Sequence, residues 1–330
     1  MSLTILSKDT LRTQVESASN GKVTVLYDTR GYPSYMCVIP KFNLSAIDAT
    51  WPATPHPAFI VNGVTKDYIY IGQFQASLVD DLAQSIPNVV PKSTSNTVAD
   101  MRDWCFDKGT GWHTMTAWEW AAVTLYAKKI DGVQADGNSN GAASQYNANY
   151  VGTLSSAGII YTGSGPFEFR HTPYYYGIDG LIGNNSHFVD GIKYYDDSEF
   201  YAQVDNYYAQ NLLDTAYGSE PASWLKLVHA TGDMRITNAG YQTYALTTWS
   251  GTIANPGVDT KLLSYLLLRP LALTFETGIL GQITNGVAAS ERYALRGGSS
   301  TSTTKSGIAN CGWALTRTNG ICNFRVAYIP

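Results

Sequence analysis

Cysteines, histidines and clustered carboxylates are the side chains of this 330-residue chain that could carry covalent or metal chemistry. Their spacing argues against most of it. Cys37, Cys105, Cys311 and Cys322 form no C-x-x-C and no zinc-ligand pattern. Buried apolar thiols are therefore the default reading, with a Cys311–Cys322 disulfide as the alternative that spacing alone leaves open. A nucleophilic thiol needs a cationic or basic neighbour to hold it as thiolate, and only Arg317 and Arg325 lie near the last two cysteines in sequence. His113, Asp103 and Glu119 are close together, but Glu119 is accounted for as a helix cap, and no G-x-S-x-G or H-E-x-x-H accompanies them. Asp196, Asp197 and Glu199 sit in a Tyr-rich stretch, where a solvated charge cluster is the default. The expectation is no catalytic residue, no metal and no cofactor.

Binding chemistry is better represented. From Arg296 to Pro330 a small-residue turn, Arg296-Gly297-Gly298-Ser299, opens into the polar run Ser300 to Ser306. A short apolar island, Trp313-Ala314-Leu315, is followed by a second polar loop, Thr316 to Gly320, and the chain closes on Phe324-Arg325-Val326-Ala327-Tyr328. Two strand-like anchors thus bracket two hydrogen-bonding loops, the arrangement in which loops vary without disturbing a core. The 23 Tyr and 8 Trp, set among many Ser, Thr, Asn and Gly, are the mixture binding loops favour, because an aromatic ring gives contact area at little entropic cost. Half-buried packing explains any single Tyr equally well, and a functionless surface loop explains the Ser/Thr run.

Composition narrows the classes. With 44% hydrophobic and only 15% charged residues the chain is globular, and a formal charge of -4 supplies no field to hold a phosphate backbone, so nucleic acid is not expected as a partner. Lys8, Asp9, Arg12 and Glu16 break any secretion-signal pattern near the start. The longest apolar stretch, Leu262 to Leu280, is interrupted by Ser264, Arg269-Pro270 and Glu276, too often to span a bilayer. A protein without membrane insertion is expected, a description that fits a virion part as well as a host-cell surface.

The elements that must position the C-terminal loops read as follows. A polar, helix-compatible start leads into strand-like runs, Lys22 to Tyr27 and Met36 to Ile39, around the turn at Arg30-Gly31. Ala58 to Val61, Asn62-Gly63 and Tyr68 to Ile71 make a hairpin signal. Val98, Met101 and Cys105 recur at helical spacing within Thr97 to Asp107. A second helix spans Thr116 to Lys129, and Thr116 with Glu119 forms an S/T-x-x-E capping box at its start. Beyond Ile130 the chain is loop-rich, with short strand-like pieces at Gly158 to Tyr161, Tyr241 to Leu246 and Lys261 to Leu268. Two helices early and short antiparallel strands with long loops later predict an α+β domain with one decorated face.

Several separated segments resemble the C-type lectin fold, in the branch that holds formylglycine-generating enzymes and the variable proteins of diversity-generating retroelements. Val98 to Cys105 is similar to a family helix in which an acidic residue precedes an aromatic and a Cys. Gly111 to Ala122 resembles the "LPTEAEWEYAA" helix start, with Thr116, Glu119 and Trp120 on the matching T, E and W. Asp136-Gly137-Asn138-Ser139-Asn140-Gly141 looks like the Gly-Asn loop, and Asp179 to Asp190 looks like "DLxGNVWEW" with its following acid. Leu295-Arg296-Gly297-Gly298-Ser299 and Phe324-Arg325-Val326 look like "LRGGSW" and "GFRV". The ordered set covers about Ala58 to Val326. It implies one C-type lectin-like domain over 46–330, a variable region of about 295–326, and residues 1–45 as an N-terminal extension or first strands.

The resemblance implies two outcomes. The enzymes use a closely spaced cysteine pair just after the RGGS turn; here ten residues separate Cys311 from Cys322, an offset that does not reproduce that redox site. Their calcium carboxylate position is occupied by His187, leaving only Asn184 and Asp190 as oxygen donors, so calcium is unsupported. The variable proteins instead carry a ligand-binding face whose Asn codons are diversified by adenine mutagenesis, yielding Asn, Ser, Thr, Ile, Cys, Gly, Ala, Arg or Tyr and never Trp, Met, Glu or Lys. Ser300, Thr301, Ser302, Thr304, Ser306, Ile308, Ala309, Asn310, Cys311, Thr316, Arg317, Thr318, Asn319, Ile321, Cys322 and Asn323 belong to that set. Arg296, Gly297, Gly298, Trp313, Phe324 and Arg325 become its scaffold. The expected partner is a protein or cell-surface receptor; a formylglycine-generating-type oxidoreductase or its degenerate relative, and a structural tail or virion module, are the alternatives.

Overall fold

A computed structural model describes residues 3–93, 96–130, 136–156, 158–172, 174–195, 199–209, 224–228, 243–245, 264–267, 282–284, 292–303, 306–314, 318–319 and 322–330. The β-branched and aromatic runs near both ends of the chain meet in one sheet. Its antiparallel order is Val23–Tyr27, Pro33–Pro40, Tyr68–Gly72, Val326–Tyr328, Trp112–Thr114. The last strand of the chain therefore lies in the middle of the sheet, with Ala327 opposite Ile71 on one side and His113 on the other. This closure places residues 23–40 inside the same sheet as the C-terminus, as strands.

The start of the chain is helical over Leu3–Ala18 and lies beside the first strand. Arg12 Nε donates to the Val25 carbonyl at 2.9 Å, and Thr24 Oγ1 donates to Glu16 Oε1 at 2.6 Å. A helix that lays only one side on a sheet edge needs few apolar residues, which is why its sequence reads as merely helix-compatible. Together with the short Leu44–Ile47 helix it corrects the expectation of two helices.

Both predicted helices form, over Val98–Phe106 and Ala117–Leu125, each with a reciprocal capping box: Thr97 with Asp100, and Thr116 with Glu119. The second continues as a π-helical turn, Tyr126–Ile130. Every residue of Ala117–Leu125 is buried, because both sheets contribute to the core around it. Trp118, Trp120 and Ala121 share one apolar cluster with Ile39, Ile69 and Ala327 of the first sheet and with Val189, Ala202 and Ala294 of the second.

That second sheet runs Trp224–Val228, Glu199–Gln203, Ser186–Tyr195, Arg292–Gly297, Gly307–Ala314, antiparallel throughout, with Cys322–Asn323 joining the start of Ser186–Tyr195 in parallel. The molecule is a mixed α+β protein dominated by antiparallel strands. Two expectations change. The Asn62-Gly63 turn, with φ of 48° and 76°, closes a hairpin of Ile60–Val61 on Val64–Thr65, while Tyr68–Gly72 pairs with Pro33–Pro40 instead. Residues 264–267, expected as strand, form a buried helical turn whose carbonyls are taken by a distant arginine. Among the described residues no helix is long and apolar enough to cross a membrane.

Candidate functional site

The strand Arg292–Gly297 ends at the Gly-Gly turn singled out in the sequence. Arg296 is fully buried between the facing strands, opposite His187 on one and Cys311 on the other. Its guanidinium donates to the carbonyls of Leu266 (2.8 Å), Leu267 (3.3 Å) and Asn310 (3.5 Å). Gly297 follows with φ of 82°, and a Cβ there would stand 2.2 Å from the Leu181 carbonyl oxygen, so only glycine fits. The chain then leaves the sheet.

What it enters is a loop held from both flanks by main-chain bonds. Ser300 N–H donates to the Asn184 carbonyl at 3.0 Å, Gly141 N–H donates to the Ser300 carbonyl at 2.8 Å, and Thr303 N–H donates to the Ser139 carbonyl at 2.9 Å. Ser302 Oγ accepts from the Ser299 N–H at 2.9 Å, closing the tip on itself. Thr301 and Thr303 are exposed and Ser302 is half-buried. The Gly-Asn loop and the Asn184 turn are therefore the supports of the C-terminal loop.

Burial divides the residues expected on a binding face. Ser300, Ser306, Asn310, Cys311, Cys322 and Asn323 are all buried, and as placed they cannot touch a ligand. Cys311 packs in the cluster of Trp118 and Ala294, and Cys322 in that of Met101 and Phe324. Asn323 is a structural clamp: its amide donates to the Ala76 carbonyl at 2.9 Å and the Lys92 carbonyl at 2.5 Å, while its oxygen accepts the Ala76 N–H at 3.1 Å. A codon-compatible side chain carries no information on which side of a strand it faces, and period-2 alternation sends about half of any strand inward. Ile308 and Ala309 lie in the strand Gly307–Ala314, and Thr318–Asn319 pairs with Asn96–Thr97, described here by backbone alone. Thr304, Thr316, Arg317 and Ile321 lie outside the described residues. Of the scaffold group, Phe324 and Arg325 are fully buried and Trp313 pairs with Ala294.

Electrostatics give the buried groups fixed roles. All four cysteines are buried thiols outside any disulfide. Burial pushes the thiols of Cys37, Cys105 and Cys322 up to about 12 and raises that of Cys311, so each is a neutral thiol near pH 7. His187 donates from Nε2 to the Gly180 carbonyl at 2.8 Å, and burial holds it well below its usual range and neutral. The Asn184 oxygen accepts from Ile160 N–H (2.9 Å) and the Asn138 amide (3.0 Å), and its amide donates to Gln75 Oε1 (2.8 Å). Asp190 pairs with Arg102 at 2.8 Å. Both oxygen donors considered for calcium are thus engaged by protein partners, and among the described residues no three His, Cys, Asp or Glu side chains group as a metal set. His113 and Glu119 pair at 2.9 Å inside the core, where Glu119 also caps its helix and accepts from Asn206 at 3.0 Å.

No protein-family model matches this chain, and no curated protein matches it.

Sequence reading missed Gln75, which holds Asn184 from 109 residues away, while Asn184 in turn holds the C-terminal loop; Ser139 and Gly141, the other supports, sit in the Gly-Asn loop already singled out. The Gly-Asn signature at Asn138 was the one available signal.

Proposed function

We propose that this protein is a non-enzymatic binding protein with a C-type lectin-like fold, whose C-terminal segment forms a ligand- or receptor-binding face varied by a diversity-generating retroelement. The observation that carries the reading is the loop Ser299–Thr303. Its exposed tip is polar and small, while its flanks are fixed by main-chain bonds to Asn184, Ser139 and Gly141. Main-chain supports are indifferent to side-chain identity, so tip residues can change with the loop's shape kept. The neutral, buried thiols of Cys311 and Cys322 favour this reading over thiol catalysis.

Two refinements follow from the burial. The diversified positions are those whose side chains leave the core, with Thr301 and the exposed end of the loop foremost, and the ligand is met by hydrogen bonds and shape. The test is the coding DNA for residues 295–326: a near-repeat beside a reverse transcriptase gene, differing from it at adenines alone, is expected. Absence of such a repeat from the surrounding locus would overturn the retroelement reading, and exchange of residues 299–303 without effect on host-surface binding would overturn the binding face.

A further inference from the structure

A second site, lined by no residue of the C-terminal segment, lies where the strand Pro33–Pro40, the π-helical turn and residues 171–172 and 174–176 meet. They enclose a cavity of about 400 Å³, within the range of about 300–1,000 Å³ that small-molecule sites occupy.

Its wall is built in advance. His171 N–H donates to the Ile178 carbonyl at 3.0 Å, and Ile178 N–H returns a bond to His171 Nδ1 at 2.6 Å. Gln73 Nε2 donates to the carbonyls of Tyr175 (2.8 Å) and Gly177 (3.3 Å), and Arg170 donates to Tyr175 as well. The Cys37 thiol donates to the Tyr176 carbonyl at 3.3 Å. A loop tied at this many main-chain atoms has little ordering cost left to pay on binding.

Two polar groups on this wall are incomplete. Because His171 Nδ1 accepts, the ring proton sits on Nε2, and Nε2 meets no hydrogen-bonding partner among the described residues. Burial and the nearby Arg325 depress His171 to about 3, so the ring is neutral at physiological pH and offers an N–H donor. Thr172 Oγ1 faces Gly177, behind the cavity surface, and has no partner among the described residues. Both residues are more than nine-tenths buried and both line the cavity. An unpaired polar group in such a place costs about 1–3 kcal/mol, a cost a bound oxygen would remove. Aromatic surface surrounds them: Tyr126, Tyr174 and Tyr176 line the same space, and the last two stack with centroids 5.0 Å apart. Lys22 lines it from an exposed position.

We propose that this cavity is a binding site for a small aromatic carboxylate bearing a hydroxyl or carbonyl oxygen at its far end. The oxygen meets His171 Nε2–H, the ring lies against the tyrosines, and the carboxylate faces the Lys22 ammonium. The site is independent of the C-terminal face, and its test does not touch residues 295–326.

The test is calorimetric titration of the full chain with 4-hydroxycinnamate, and in parallel with cinnamate, which lacks the hydroxyl, and 4-ethylphenol, which lacks the carboxylate. Saturable binding is expected, strongest for 4-hydroxycinnamate. His171→Asn, whose Oδ1 can still accept the Ile178 N–H, removes the Nε2–H donor, weakens 4-hydroxycinnamate by roughly tenfold and leaves cinnamate unchanged. Lys22→Gln, at an exposed position, weakens both carboxylates and spares 4-ethylphenol. Thermal melts of both variants verify that each is folded. No saturable binding of any probe to the folded wild-type chain overturns the proposal, as does binding that neither substitution alters.

Discussion

Arg325 Nη2 donates to the main-chain carbonyl of Asp179 at 2.7 Å, tying the entry to the last strand of the chain to the turn that opens the Asn184 segment. The same guanidinium donates from Nη1 to the Gly72 carbonyl at 2.8 Å, so one fully buried side chain joins the central sheet to the loop framework. Burial pulls its pKa down to about 10, which still leaves it charged at neutral pH.

Arg325→Met removes the donors while keeping much of the volume. The Asp179 and Gly72 carbonyls then lose a charged partner inside the protein, a loss of about 3 kcal/mol or more. Urea unfolding should show the free energy falling by that amount, with a lower midpoint at an unchanged slope. Arg325→Lys should recover little, because a single ammonium cannot reach both carbonyls with the geometry of the fork. A melt unchanged in the Met variant would remove Arg325 from this role.

Thr116 supports a second load. Its hydroxyl accepts the Glu119 N–H at 3.1 Å and donates to Asn206 Oδ1 at 2.7 Å, so it caps the central helix and anchors a distant loop residue together. Thr116→Ala should cost about 1–2 kcal/mol for the cap, with Thr116→Ser restoring most of it. Equal stability of the Ala variant, measured by chemical denaturation, would contradict the capping geometry.

This helix also marks how far the sequence could be read. Thr116 and Glu119 announce it because a capping box is local chemistry, resolved within four residues. Asn62-Gly63 likewise announces a turn, but the partner strand was misjudged: the two-residue strand Val64–Thr65 is too short to register beside the longer aromatic run that follows. The C-terminal loops were visible as polar runs between anchors, whereas the side each residue faces was not. Cys322 and Asn323 are adjacent and both buried, because their strand joins the edge of Ser186–Tyr195 in parallel and is covered on both faces. Only pairing between distant segments decides that.

Acid should destabilise the fold through its buried histidines. His56 is lowered to about 4 by burial, against a partly compensating bond from Nε2 to the Tyr265 carbonyl, and His171 to about 3; His187 is also well below its ordinary value. In the unfolded chain each binds its proton near 6.5, while the folded chain stays neutral until the lower pKa. Between those points the unfolded state holds more protons, so stability is complete above about 6.5 and is lost as pH falls, by about 1.4 kcal/mol per unit for each histidine. Asp136 and Asp179, raised by burial, oppose this between their ordinary and their raised values, where the folded state holds the extra proton. Melting temperatures at pH 7 and pH 5 should differ clearly, and His56→Gln should shrink the difference. A flat profile would mean these rings are hydrated.

The sharpest contrast lies within the C-terminal segment itself. Thr301 is exposed at a tip whose flanks are held by main-chain bonds, and its own hydroxyl meets only the exposed Ser299 Oγ at 3.3 Å, so Thr301→Tyr or Thr301→Asn should change stability by no more than about 0.5 kcal/mol. Cys322 lies in the cluster of Met101, Phe324 and Val326 with 1% of its surface exposed, and it has no room for a larger polar group. Cys322→Arg would bury an unpaired charge and overfill the core, with a cost above about 3 kcal/mol. Parallel thermal melts of the two sets separate a diversifiable surface from its support. Tolerance of Cys322→Arg together with intolerance of Thr301→Tyr would reverse the assignment of face and core, and with it the choice of residues that meet a ligand.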